Sequence, residues 1–303
     1  MGVDENGLGP RLGPLVATSC TLHLREIDPK KTHVLGERLG IVDSKVSAGF
    51  GAMAHAEGLA LAIAEDALGR PPKDADDVLA ALSLDGALAL RAPCPAKTHA
   101  QCWSALPVPA FGGSLAHGRD LLRSLSASKS QVRIARVRTA ILCVKTYNEA
   151  LVLRSSKLVV DLELFERLVL DARQAARRDV LATCGMVGGI RKYTSRFQRF
   201  DVARTTMLEE VKGRSAYRIE GVGEVAFEVD ADAHALPVAI ASMVGKYIRE
   251  LCMARLNQYY RGHDPSLSPV SGYHDPVTAR FVEATRLLRK RLEIEPGCFE
   301  RNG

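Results

Sequence analysis

A glycine turn, with two carboxylates before it and an apolar run after it, constrains this chain more than any other stretch. The segment reads Gly2-Val3-Asp4-Glu5-Asn6-Gly7-Leu8-Gly9-Pro10, runs on to Gly13-Pro14, and passes into Leu15-Val16-Ala17. On a regular strand neighbouring side chains point to opposite faces, so Asp4 and Glu5 serve one site only if the chain turns there. Gly7 and Gly9 permit the turn, because glycine accepts φ > 0 and the close approach of another backbone. Acidic pair, glycine turn and apolar strand together point to a metal site that meets a phosphate or a sugar.

The 303 residues, 47% hydrophobic and 25% charged, fit one large globular domain or one domain with a sizeable insertion. The formal net charge of +6 is compatible with a polyanionic partner, but many enzymes without one share it. Met1-Gly2-Val3-Asp4 has no basic and apolar leader, and no apolar run approaches the ~20 residues of a membrane span. The seven cysteines are odd in number and widely spread, so a reducing, cytoplasmic setting without a membrane is expected.

Residues 2–5 and 15–24 read as strands around the turn, and residues 53–68 as an alanine-rich helix. The stretch 70–130 is the least regular: Pro71-Pro72 and Asp74 to Asp77 mark a loop and a helix start, and a proline- and glycine-rich patch runs from Pro93 to Gly113. Cys94, His99, Cys102 and His117 have the chemistry of zinc ligands, but their spacing is not a standard one, and a loop with incidental cysteines is preferred. Residues 131–144 read as a strand with a bulge near Ala135, which would bring Arg133, Arg136 and Arg138 to one side. Residues 157–177 are helical by period, with Leu158, Leu162, Phe165, Leu168 and Val169 as the buried stripe. Asp179 to Gly185 reads as a central strand. From Ile190 to Arg204 basic residues alternate with Tyr193, Phe197 and Phe200, either as a nucleic-acid grip or as an amphipathic helix with a solvated face. A hairpin is expected at 215–220 and 224–230. Val238 to Tyr260 is the clearest helix, with Ile240, Val244, Tyr247, Ile248 and Leu251 on one face. A C-terminal loop and helix, 260–303, closes the chain, with the helix at 277–292.

The first turn resembles the signature of the type 2 ribonuclease H family (ribonuclease HII), Gly-x-Asp-Glu-x-Gly-x-Gly-Pro-x-x-Gly-Pro, and matches it at every fixed position. Asp43-Ser44-Lys45 resembles the family's Asp-Ser-Lys motif. Asp232, Pro237-Val238, Ala241-Ser242, Lys246 and Arg249 fit its long-helix motif without a gap, and Gly272-Tyr273 resembles its Gly-Tyr motif. The resemblance implies an α/β fold, a ribonuclease H-like mixed sheet flanked by helices, formed by a single domain over 1–303 with an insertion at 70–130. It implies an endonuclease that cuts the RNA strand of an RNA–DNA hybrid, or nicks at ribonucleotides embedded in duplex DNA, with two Mg2+ or Mn2+ ions. Asp4, Glu5 and Asp232 would be the catalytic metal ligands. Gly7, Leu8, Gly9, Lys45, Lys246 and Tyr273 would contact nucleic acid, and the protein would be a monomer.

Two positions depart from the family pattern. Gly185 stands where the family has a third metal-binding aspartate, and Leu8 replaces the arginine of the turn. Glu228, Asp230 and Asp232 alternate, so on a continuous strand one of the first two would share a face with Asp232 and supply the missing ligand. Arg11 is the nearest basic residue that would replace the lost arginine. The other reading is a catalytically silent module that binds hybrids or protein partners.

Overall fold

The computed structural model describes residues 1–26, 28–41 and 50–302. Asp43-Ser44-Lys45 therefore lies outside the described residues. Among these residues seven strands form one mixed sheet flanked by helices, the architecture expected above. In chain order the elements begin with β1 (Gly2–Asn6), β2 (Leu15–His23), α1 (Pro29–Arg38), α2 (Phe50–Leu68), α3 (Ala75–Leu82), α4 (Gly86–Arg91), α5 (His99–Trp103) and α6 (Leu115–Ser126). They continue with β3 (Arg133–Leu142), α7 (Val144–Arg154), α8 (Lys157–Ala176), β4 (Val180–Gly185), β5 (Thr205–Val211), β6 (Arg214–Ile219), β7 (Gly223–Glu228), α9 (Leu236–His263), α10 (Pro276–Ala284) and α11 (Arg286–Arg291).

The strand order is β3-β2-β1-β4-β7-β6-β5. β1 pairs antiparallel with β2 and parallel with β4, and β4 pairs parallel with β7, so the acidic strand sits beside the central ones. The expected bulge is real: Thr21 pairs with Arg136 and Leu22 with Ile134, which leaves Ala135 as the extra residue. Two of its three arginines are engaged within the protein, Arg136 with Asp171 at 3.0 Å and Arg138 with the Ala81 carbonyl at 2.6 Å, while Arg133 is exposed.

Each face of the sheet carries a core. On one side α9 lies over β1 and β2, backed by α2, α3 and α6, and the whole apolar face Ile240, Val244, Tyr247, Ile248 and Leu251 is buried. On the other side α8 covers β1 to β4 through Leu162, Phe165, Leu168 and Val169, with Leu158 partly buried. Side-chain caps set several helix starts: Asp28, Asp74, Ser114 and Asp275 each accept a backbone N–H three residues on.

Three readings are corrected, and one strand went unread. Residues 190–204 form two short 3-10 turns rather than a helix, because Tyr193, Phe197 and Phe200 are drawn into the core under α8 and cannot face a ligand. The C-terminal helix is broken at Thr285, whose hydroxyl bonds back to the Phe281 carbonyl at 2.7 Å, giving α10 and α11. Residues 205–211, an edge strand with mixed composition, had no clear sequence signal. The strand carrying Glu228 ends there. Asp230 takes a left-handed conformation (φ 49°) and Asp232 sits in a 3-10 turn, so the three acids do not share a strand face.

Candidate active site

β1 fixes the first acid. Alternation along the strand points Gly2, Asp4 and Asn6 towards α9, and Val3 and Glu5 towards α8. The contacts agree: a Cβ on Gly2 would lie 2.3 Å from the Val238 nitrogen, and the Asn6 amide donates to the Ser242 carbonyl at 3.2 Å. Ser242 also hydrogen-bonds Asp4. Because Val3 pairs with Cys184, the end of β4 brings Gly185 alongside Asp4. A Cβ on Gly185 would lie 2.6 Å from Asp4 Oδ1, so the Asp4 carboxylate fills the space over Gly185.

The turn then draws the two acids together. Gly7 has φ +96°, and any side chain there would press on the Arg249 side chain 2.9 Å away. The Leu8 N–H donates back to Glu5 Oε2 at 2.9 Å. One cleft of about 1140 Å³ is lined by Asp4, Glu5, Asn6 and Gly7 from the turn, Gly185 from β4, and Asp230 and Asp232 from the segment after β7. Ser242, Lys246, Arg249 and Tyr273 complete its wall. The acidic pair and Asp232, more than two hundred residues apart, thus meet at one cleft.

The charges in this cleft are unbalanced on the acidic side. Burial pushes the Asp4 carboxyl up to about 8, the negative charges of Asp232 and Glu5 add to it, and the Ser242 hydrogen bond only partly opposes them. Such an all-oxygen donor set suits a hard divalent cation such as magnesium or manganese, which would relieve that repulsion. Among the described residues, however, no three His, Cys, Asp or Glu side chains are gathered tightly enough to hold a metal ion as they stand. The same holds for Cys94, His99, Cys102 and His117: His117 faces His55 at 2.9 Å and His99 stacks on Trp103.

The predicted nucleic-acid contacts divide. Gly9 is exposed with open space above it, and Tyr273 is 48% exposed at the cleft edge. Lys246 lines the cleft from α9. The Leu8 side chain packs against the core under α8, so only its backbone is at the turn. Arg11 does not replace the missing arginine, since its guanidinium bonds Glu300 at 2.5 Å. The cations beside the turn come from elsewhere. Arg249 lies 4.8 Å from the Tyr273 ring centre and donates to the Ser271 carbonyl. Arg301 donates to the carbonyls of Gly7 and Gly13. Burial, followed by the nearby Arg249 charge, pushes Arg301 down to about 10.

Glu228 is not available as a replacement ligand: it bonds Arg214 and His234, at 2.9 and 2.8 Å. Burial would raise its carboxyl, but these two partners outweigh burial and hold it below the usual range. Asp230 does line the cleft.

Three fully buried acids, Asp161, Glu57 and the α8 residue Glu166, escaped the sequence reading. Asp161 of α8 is fully buried, neither of its oxygens has a hydrogen-bond partner, and burial, then the charges of Glu5 and Asp4, hold its carboxyl well above the usual range. Its signal was an acid three residues after Leu158 on an otherwise apolar stripe. Glu57 of α2 is also fully buried. It accepts backbone N–H groups from Ala110, Phe111 and Gly113 at 2.6–2.8 Å, and so holds a loop whose Ala110 and Phe111 line the same cleft.

No protein-family model matches this chain, and no curated protein matches it in sequence. Among solved structures it is similar to the ribonuclease HII of a complex with PCNA from Archaeoglobus fulgidus, with 15% identity over 98% of this chain and 91% of that one and a TM-score of 0.46. It is also similar to ribonuclease H2 from Pyrococcus horikoshii OT3, with 16% identity over 98% and 90% and a TM-score of 0.47. A third is ribonuclease H3 from Aquifex aeolicus, with 11% identity over 99% and 70% and a TM-score of 0.46. Identities and TM-scores this low do not by themselves place the chain in a family. No helix among the described residues is long and apolar enough to cross a membrane.

Proposed function

We propose that the chain is a ribonuclease HII-like endonuclease that cleaves the RNA strand of RNA–DNA hybrids, or nicks duplex DNA at embedded ribonucleotides. The observation that carries the reading is the meeting of Asp4 and Glu5, from a turn matching the family signature throughout, with Asp232 at one cleft. Asp4, Glu5 and Asp232 would hold Mg2+ or Mn2+. Divalent ions bound there would make a water nucleophilic and stabilise the leaving alkoxide. The rest is positioning. Gly9 offers open backbone for close approach of a sugar. Tyr273 gives a half-exposed ring braced by the Arg249 guanidinium, on which a deoxyribose or base would rest. Lys246 lines the cleft from α9, where a phosphate would lie, and Arg249, buried and paired with Glu250, backs the turn.

One observation favours a silent, hybrid-binding module: Asp4 Oδ1 takes the space over Gly185, so the third acid has no direct substitute at that position. Binding and cleavage of a duplex carrying one ribonucleotide, assayed together in magnesium and in manganese, decide between the two. The enzyme reading expects a metal-dependent nick at the ribonucleotide. Binding with no nick in either metal sinks it in favour of the silent module, and neither binding nor cleavage sinks both.

A further inference from the structure

Five of the seven cysteines, Cys94, Cys102, Cys143, Cys252 and Cys298, line one apolar cavity of about 370 Å³ that shares no wall residue with the acidic cleft. All are free thiols. They come from separate elements: the loop after α4, α5, the start of α7, α9, and the C-terminal 3-10 turn. Their environments differ. Cys252 and Cys298 are pushed up to about 11 by burial, which makes them inert. Cys94 is partly exposed, and two groups hydrogen-bond its sulfur, the Cys102 thiol and the Trp103 side chain. Those donors outweigh burial and hold the Cys94 thiol below its ordinary value, while Cys102, as the donor, is held above it. Two interacting thiols on the wall of one cavity, one of them held towards its thiolate, are the arrangement of an attacking and a resolving cysteine.

We propose that Cys94 and Cys102 are a redox-reactive pair that a small hydroperoxide oxidises to a disulfide at this cavity. The Cys94 sulfur attacks the terminal peroxide oxygen, the O–O bond breaks, and the leaving oxyanion takes up the proton released from Cys94. The product is a sulfenic acid on Cys94 and one molecule of water or alcohol. The Cys102 sulfur then attacks the Cys94 sulfur, an S–S bond forms, the S–O bond breaks, and hydroxide leaves with the Cys102 proton as water. In balance, one hydroperoxide is reduced and two thiols lose two hydrogens. Cys143 and Cys298 line the same cavity.

The test uses the whole reduced chain, treated with equimolar hydrogen peroxide, alkylated, and digested with trypsin without reductant. Cleavage after Arg91, Lys97 and Arg119 puts Cys94 and Cys102 on separate peptides, 92–97 and 98–119, that only a disulfide keeps together. The expected result is that linked pair as the first oxidation product, formed at least about tenfold faster than oxidation of buried Cys20 or Cys184. In Cys102→Ser the reaction stops one step earlier, and dimedone labels Cys94. Free, alkylated Cys94 and Cys102 after peroxide treatment, or a first disulfide elsewhere, overturns the proposal. So does Cys102→Ser without a label at Cys94. If that variant does not fold, the wild-type peptide map alone decides.

Discussion

Asp4 and Gly185 compete for one place: a Cβ on Gly185 would lie 2.6 Å from Asp4 Oδ1. The obstacle is the far end of a side chain, so Gly185→Asp is accommodated by a turn of the Asp4 carboxylate without moving backbone. That substitution places an acid at the end of β4, beside the existing ones. Metal-dependent cleavage by Gly185→Asp is expected to rise about tenfold or more over wild type, measured as single-turnover rate at saturating magnesium. The same variant should gain more thermal stability from magnesium than wild type does, because the ligand binds the folded state. An unchanged rate and an unchanged magnesium response would mean that the site is already complete without that acid.

Tyr273 is half-exposed, with its ring held by Arg249. Replacing it with Ala should weaken binding of a ribonucleotide-containing duplex by about 1–3 kcal/mol, while Phe, which keeps the ring face, should leave binding nearly intact. Fluorescence anisotropy titrations of both variants at one salt concentration check this. Equal losses in Ala and Phe would assign the effect to the hydroxyl and remove the stacking role.

Glu57 ties Ala110, Phe111 and Gly113 by their backbone N–H groups. A glutamine there keeps one acceptor oxygen and turns an NH2 group towards a donor, leaving a buried N–H unpaired. Urea unfolding of Glu57→Gln should show a loss of about 1–3 kcal/mol. The loop forms part of the cleft wall, so KM for the duplex should rise more than kcat falls. A neutral substitution would show that the loop is held by packing alone.

Glu166 supplies a pH dependence away from the cleft. It is fully buried under the 193–200 segment and accepts backbone N–H groups from Gln198, Arg199 and Phe200. Burial nevertheless pushes its carboxyl up to about 7, with those hydrogen bonds opposing the shift. A folded pKa above the unfolded one means the folded state binds the proton more tightly. The contribution is fully present below the unfolded value of 4.5 and is lost as pH rises through about 7. The stability of wild type minus that of Glu166→Gln should therefore fall between about pH 5 and about pH 8 in urea titrations. A constant or rising difference would contradict the assignment.

Much of this arrangement was legible in the sequence because it rests on local rules. The turn announced itself through its glycines, of which Gly7 and Gly13 sit at positive φ against neighbouring side chains, and α8 and α9 through periodicity over long spans. The Ala135 bulge was visible as a one-residue phase shift. What stayed hidden was long-range. Tyr193, Phe197 and Phe200 look like a nucleic-acid grip until α8 is laid over them. Glu57 and Asp161 read as ordinary helix acids, since burial is a property of what packs on top. The cations beside the turn come from Arg249 and Arg301, hundreds of residues away, whereas sequence proximity pointed to Arg11. The gathering of five cysteines at one cavity depends on α4, α5, α7, α9 and the C-terminal turn meeting in space.

The central claim is that Asp4 belongs to a metal-dependent phosphodiesterase centre. Its most direct test is the cleavage of a DNA duplex carrying a single ribonucleotide by wild type and Asp4→Asn side by side, in magnesium and in manganese, with the product ends mapped. The account predicts that wild type nicks at the ribonucleotide to leave a 3′-hydroxyl and a 5′-phosphate, and that Asp4→Asn, still folded, loses the activity by at least about a hundredfold. Equal cleavage by the two proteins, or none by wild type in either metal, would contradict it.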